Sequence, residues 1–154
     1  MERTLVILKP DALARGMVGE VTSRFEKKGL KLVACKMTRL GQEILREHYS
    51  HLLDKPFYQR IADFMASLPV VIQCWEGVDA VSVVRKITGV TNGRDADAGT
   101  IRGDFAMSVQ CNLIHASDTS TAAEAEITRF FKDEELFQYD SPLQNLTYTQ
   151  DELK

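Results

Sequence analysis

Four short apolar stretches, at 4–8, 31–37, 70–75 and 105–114, are separated by segments too long for hairpin turns and periodic enough to be helices. No other feature constrains the fold as strongly. Strands joined by helical crossovers lie in one sheet with helices packed on it, so the pattern predicts a single α+β domain. The first stretch ends at Lys9-Pro10-Asp11, a turn signature. Val18, Val21, Phe25 and Lys28 follow at helical spacing, and Gly29 supplies a stop. In the second strand Val33, Cys35 and Met37 share one face. Two short helices over 42–49 and 57–68 are separated at Lys55-Pro56, and Pro69 then opens a third strand that reads as buried on both faces. A helix over 79–87 places Val81, Val84 and Arg85 on one side. The fourth strand, 105–114, ends at His115, and Asp118 or Thr119 can cap a helix running to Phe131.

Two segments carry no period. Residues 89–103 are rich in Gly, Asp and Thr and read as one long loop, the kind that is often functional in a compact domain. After Lys132 the tail is acidic and irregular, with Tyr139, Pro142, Leu146 and Tyr148 as docking points and 149–154 expected to be disordered. There are no repeats or linkers, so residues 1–154 form one domain. The net charge of −3 offers no global basic field, and an anionic ligand must be held by a local positive cluster. The opening apolar run stops at Lys9-Pro10, too short for a signal peptide or a membrane span. Cys35, Cys74 and Cys111 each have strand-like apolar surroundings and read as buried free thiols, which suits the cytoplasm.

The familiar phosphate-binding signatures, G-x-x-x-x-G-K-[ST] and G-x-G-x-x-G, are missing. His115 stands at a strand end followed by a turn, a place where a side chain is exposed on a rigid base. Imidazole titrates near neutrality and has a nucleophilic nitrogen, although a histidine there can equally make a capping hydrogen bond. Lys9, Arg85 and Arg102 are candidate phosphate-binding cations, Arg102 lying between glycines in Gly99-Thr100-Ile101-Arg102-Gly103-Asp104. Spacing does not show that the three converge. His48 and His51 fall on one helical face but have no third metal ligand at a matching position. Phe57 and Tyr58 can stack a base or can be core.

Together, Leu8-Lys9-Pro10-Asp11, His48-Tyr49, Lys55-Pro56-Phe57, Gly99-Thr100-Ile101-Arg102-Gly103-Asp104-Phe105 and Asn112-Leu113-Ile114-His115-Ala116-Ser117-Asp118 strongly resemble the nucleoside diphosphate kinases, over 4–148 and in family order. The resemblance implies a ferredoxin-like fold: a four-stranded antiparallel sheet with helices packed on it and an added helical pair. It implies ping-pong transfer of the γ-phosphate of a nucleoside triphosphate to a nucleoside diphosphate, with Mg²⁺ and broad base and sugar specificity. His115 is the implied nucleophile, carrying the phosphate as a pros-phosphohistidine. Glu126 matches the carboxylate that hydrogen-bonds its ring, with Ser117 nearby. Lys9, Tyr49, Arg85, Thr91 and Arg102 match positions that hold phosphates, and Lys9 and Asn112 those that reach the sugar. Phe57 matches the base-stacking residue, with Ile61 and Val109 closing the slot. No residue matches a direct metal ligand, the Mg²⁺ riding mainly on the nucleotide phosphates, and no polar side chain matches a reader of the base edge. The implied partner is the chain itself, as a hexamer in preference to a tetramer.

The pattern departs from the family at three places. Ala116 stands where glycine is usual, so the backbone after the nucleophile must accept a Cβ. Gly93 and Ala98 stand where the long loop usually carries prolines, which predicts a looser loop and a gain in stability for Gly93→Pro. The tail extends past its usual end. A ferredoxin-like module that binds RNA or a regulatory ligand without turnover is the competing reading, but the fourth strand over 107–114 lacks the charge and aromatics that an RNA-binding sheet displays.

Overall fold

A computed structural model describes residues 1–142 and 144–153; Lys154, the end of the expected tail, lies outside them. Four strands form one antiparallel sheet: β1 (Glu2–Leu8), β2 (Lys31–Thr38), β3 (Val70–Gly77) and β4 (Ile114–Ala116), in the order β2-β3-β1-β4. This is the ferredoxin-like arrangement. The helices are α1 (Pro10–Ala14), α2 (Val18–Lys28), α3 (Gln42–His48), α4 (Tyr58–Ala66), α5 (Ala80–Thr88), α6 (Ile101–Phe105), α7 (Ser120–Phe130) and α8 (Gln144–Thr147). No helix among the described residues is long and apolar enough to cross a membrane.

Two apolar layers sandwich the sheet. Leu5, Ile7, Ile72 and Cys74 face one layer, with Leu45, Ala62, Met65 and Phe130 from α3, α4 and α7. Val6, Leu8, Val71 and Trp75 face the other, with Val21 and Phe25 of α2 and Val84 of α5. Every residue of β3 is buried, as its mostly apolar run predicts, Gln73 included. Phe25 meets Trp75 at 5.4 Å between ring centroids, and truncating so large a buried ring costs about 3–5 kcal/mol. α2 ends at Gly29, whose φ of 97° suits only glycine. Thr119 caps α7 by accepting the Ala122 N–H at 3.1 Å.

The structure corrects several expectations. The fourth strand spans only Ile114–Ala116, because 101–105 are helical and 106–113 form an irregular segment. The loop over 89–103 is not structureless. Asn92 caps a 3₁₀ turn over Gly93–Asp95, and Thr100 caps α6 by accepting the Gly103 N–H at 2.9 Å. Gly103 is needed for close packing, since a Cβ there would collide with the Asp97 carbonyl. Gly93 is buried, its N–H donates to the Ser108 carbonyl at 3.4 Å, and a Cβ would run into the Ala106 carbonyl; proline has no room there.

In β2, Leu32 pairs with Trp75 and Ala34 with Cys74, leaving Val33 as a bulge. The bulge sends Val33 and Ala34 both into the core and breaks the predicted Val33–Cys35–Met37 face: Cys35 and Met37 are exposed. Cys111 is exposed as well, so Cys74 alone is a buried thiol, its pKa pushed up to about 12 by burial. The tail docks through Tyr139, whose hydroxyl donates to the Leu32 carbonyl at 2.7 Å, and Tyr148, whose hydroxyl accepts the Val78 N–H at 3.3 Å. Pro142 and Leu146 are exposed instead.

Candidate active site

Pairing of β1 with β4 puts Ile7 opposite His115, and a cleft of about 420 Å³ opens at this end of the sheet. β1 delivers Lys9, α3 leads to Tyr49, α4 brings Phe57 and Ile61, and α5 brings Arg85. Thr91, Arg102, Val109 and Asn112 complete the lining with His115. Ten residues widely spaced in sequence thus face one cavity of ligand size. Glu126 and Ser117 stand behind His115 and touch it or each other rather than lining the cleft.

The His115 ring is held from one side. Its Nε2 lies 3.0 Å from both carboxylate oxygens of Glu126, which also accepts a 2.6 Å hydrogen bond from the Ser117 hydroxyl. Burial pushes the Glu126 pKa up, but the His115 and Ser117 hydrogen bonds outweigh it and hold the group below the usual carboxylate value. An ionised carboxylate only accepts, so Nε2 is the nitrogen that donates to it and Nδ1 is turned away from it. Nδ1 has no hydrogen-bond partner among the described residues. A neutral imidazole with its free nitrogen at a cleft wall is a nucleophile.

His48 stacks edge-on against this ring, 4.7 Å between centroids, and also against Tyr49 and Phe130. Its Nδ1 lies 3.4 Å from Arg129 Nη1 and 3.9 Å from Glu126, and its Nε2 is buried without a partner. Burial, then the neighbouring His115, lowers its pKa to about 3, so it stays neutral. His48, His115 and Glu126 offer donor atoms within 4.8 Å of one another, a grouping not visible in the sequence, where His51 was the apparent mate of His48. Arg129 lies against His48 Nδ1 and Glu126 against His115 Nε2, so His48 meets the other two through its ring edge and a 3.9 Å approach rather than through a hydrogen bond.

Positive charge lines the other walls. Lys9 Nζ donates to Asn112 Oδ1 at 2.6 Å and to the Gln110 carbonyl at 3.3 Å, and burial, followed by the Arg102 charge, lowers its pKa to about 8. Arg102 is buried, donating to the Ile114 carbonyl at 2.6 Å and the Gly89 carbonyl at 3.0 Å, with Nε unpartnered. Burial and then Arg85 lower its pKa to about 10. Arg85 reaches the Ala116 carbonyl at 3.5 Å and pairs with Asp118 at 3.1 Å. Burial raises the Tyr49 hydroxyl pKa, aided by the Glu126 charge, so the group remains a phenol. Three cations around one imidazole make a receptor for a polyanion with delocalised charge.

At the far end the two aromatics part company. Tyr58 is buried in the core, whereas Phe57 is 40% exposed and faces Val109 and Ile61 across an apolar slot. Arg60 and Gln110 line the same cleft, and Gln110 Nε2 donates to the Arg60 carbonyl at 3.5 Å, an unexpected polar rim to the slot. Ala116 fits without strain as an extended, 2% exposed residue of β4. Just upstream Leu113 has φ of 70°, and the Ile114 N–H donates to the Asn112 carbonyl at 2.9 Å, closing a γ-turn. Such a backbone in a leucine stores of order 1–3 kcal/mol.

Residues 2–136 match the family model described as nucleoside diphosphate kinase. The chain is 58% identical to the nucleoside diphosphate kinase of Parabacteroides distasonis over 154 residues, covering 99% of each. It is 53% identical to that of Pyrococcus horikoshii over 141 residues, covering 90% of each. Among solved structures, that of the halophilic nucleoside diphosphate kinase of Halobacterium salinarum in complex with CDP superposes with a TM-score of 0.94, at 44% identity over 96% of this chain and 98% of that one.

Proposed function

The chain belongs to the nucleoside diphosphate kinase family and is a phosphotransferase, and from that premise we propose that it works by a ping-pong relay through Nδ1 of His115. The observation that carries this reading is the His115–Glu126 contact, which leaves a single lone pair on the cleft side. Nδ1 attacks the γ-phosphorus of a bound nucleoside triphosphate, the bond to the bridging oxygen breaks, and the diphosphate leaves. A second diphosphate enters the same cleft and its terminal oxygen takes the phosphoryl group back. Glu126 orients the ring and offsets the positive charge that grows on the imidazole during each transfer. Lys9, Arg85 and Arg102 neutralise the transferring group, with Tyr49 and Thr91 as further donors, since phosphoryl transfer depends on positioning and charge stabilisation.

Among the described residues Asp118 is the only carboxylate lining the cleft, and Arg85 pairs with it. That donor set fits a Mg²⁺ ion held by the nucleotide phosphates rather than by a protein cage. Such an ion would supply charge neutralisation to the transferring phosphate. Phe57, Ile61 and Val109 grip any base by its faces, while Lys9 and Asn112 hold the sugar, which supports broad specificity. The solved relative holds CDP, which supports the binding of a pyrimidine nucleotide here. The chain acts as one domain in the cytoplasm, assembled as a hexamer. Steady-state transfer from ATP to GDP is expected to give parallel double-reciprocal lines, with ATP–ADP exchange in the absence of any second nucleotide. Intersecting lines without exchange would replace the relay by direct transfer. Light scattering at micromolar protein returning a tetramer or monomer mass would overturn the hexamer.

A further inference from the structure

The γ-turn at Leu113 stands two residues before the nucleophile, and leucine does not adopt a φ of 70° by preference. Such a backbone persists only where its surroundings over-determine it. Here both polar groups of Leu113 are tied to the start of α1, just past the end of β1. Asp11 Oδ2 accepts the Leu113 N–H at 2.9 Å, and the Lys9 N–H donates to the Leu113 carbonyl at 2.8 Å. The Lys9 side chain holds the flanks through Asn112 and Gln110. The other carboxylate oxygen of Asp11 is buried with no hydrogen-bond partner among the described residues, so the hydrogen bond this half-buried carboxylate makes among them is the one to Leu113.

We propose that Asp11 is a positioning residue: its carboxylate clamps the Leu113 turn in the left-handed region and so fixes the direction in which the chain delivers His115 to the cleft. Without the clamp the Leu113 N–H loses its acceptor, the turn relaxes toward ordinary backbone, and the line of attack of Nδ1 shifts. The inference rests on the phosphohistidine reading for its catalytic consequence, while the clamp itself has a separate structural readout.

The test compares Asp11→Ala, Asp11→Asn and Asp11→Glu with the wild-type protein, well below each melting temperature. Rapid quenching after mixing with saturating ATP and Mg²⁺ gives the rate of His115 phosphorylation, and steady-state assays give kcat and KM. Asparagine retains an acceptor oxygen at the same reach, so Asp11→Asn is expected within threefold of wild type. Asp11→Ala is expected to phosphorylate at least tenfold more slowly, with the loss in kcat and little change in KM. Asp11→Glu keeps the charge but displaces the acceptor, and is also expected to lose kcat; it carries the test if the alanine variant does not fold. Amide hydrogen exchange at 112–115 should accelerate at least tenfold in the alanine variant and stay unchanged in the asparagine one. Unchanged kcat in Asp11→Ala, a loss in KM alone, or an asparagine variant as impaired as alanine would each overturn the proposal. If the wild-type protein takes up no phosphate, the phosphohistidine reading falls, and unaltered exchange at 112–115 in Asp11→Ala overturns the clamp on its own.

Discussion

Acid should destabilise this protein through His48, well above the pH at which carboxylates titrate. Its side chain is 1% exposed, with His115, Glu126, Arg129 and His51 as its charged or titratable neighbours. In the unfolded chain the group takes a proton near pH 6.5, whereas burial and His115 lower its folded pKa to about 3. Between these values the unfolded state binds the extra proton, so stability falls as pH drops from about 6.5 toward about 3. The slope approaches about 1.4 kcal/mol per pH unit. From pH 7.5 to 5.0 the loss integrates to about 2 kcal/mol, or about 4–8 °C in Tm for a domain of this size. Glu126, held below the usual carboxylate value, contributes stability present above its unfolded pKa and lost at lower pH, outside this window. His48→Phe keeps an aromatic edge against His115 and removes the titration. Any overpacking in that variant shifts the whole curve and leaves its slope untouched. Urea unfolding at one protein concentration, at both pH values, measures the two drops. The wild type should lose about 2 kcal/mol more than the variant; equal drops would refute the claim that His48 is buried neutral.

Gly93→Pro should lower Tm rather than raise it. Steric overpacking of about 1–3 kcal/mol adds to the loss of the bond to Ser108, so a Tm that rises by calorimetry would contradict the packing described. The free-enzyme kcat/KM should fall above about pH 8 as Lys9 loses its proton, and Lys9→Arg should abolish that alkaline limb. An unchanged limb in the arginine variant would assign the titration to another group. Phe57→Ala should weaken nucleotide binding by about 1–3 kcal/mol for every base, read as raised KM. A loss confined to kcat would mean that Phe57 does not grip the base.

How much of this was legible before the structure divides along physical lines. Helices α2, α3, α4 and α7 and the buried β3 follow from local period and capping, which are properties of neighbouring residues. The cleft follows from the motifs together, and Lys9, Phe57, Arg102 and His115 do face one another. The misses have local causes too. Thr100 caps α6 in a stretch too polar to show a period, and a one-residue bulge at Val33 reversed the faces of β2. Long-range contacts had no signal at all. His48 against His115, Arg60 beside Gln110 and Asp11 beneath Leu113 depend on the sheet order β2-β3-β1-β4, which spacing within one element does not encode.

The relay through His115 stands or falls on the covalent intermediate. Intact-protein mass spectrometry after brief mixing with ATP and Mg²⁺ should find one phosphate per chain, labile in acid, stable in base, discharged by GDP, and absent from a folded His115→Ala variant that has lost transfer. Transfer persisting at a substantial rate in that variant, or phosphate retained on it, would contradict the assignment of His115 as the nucleophile.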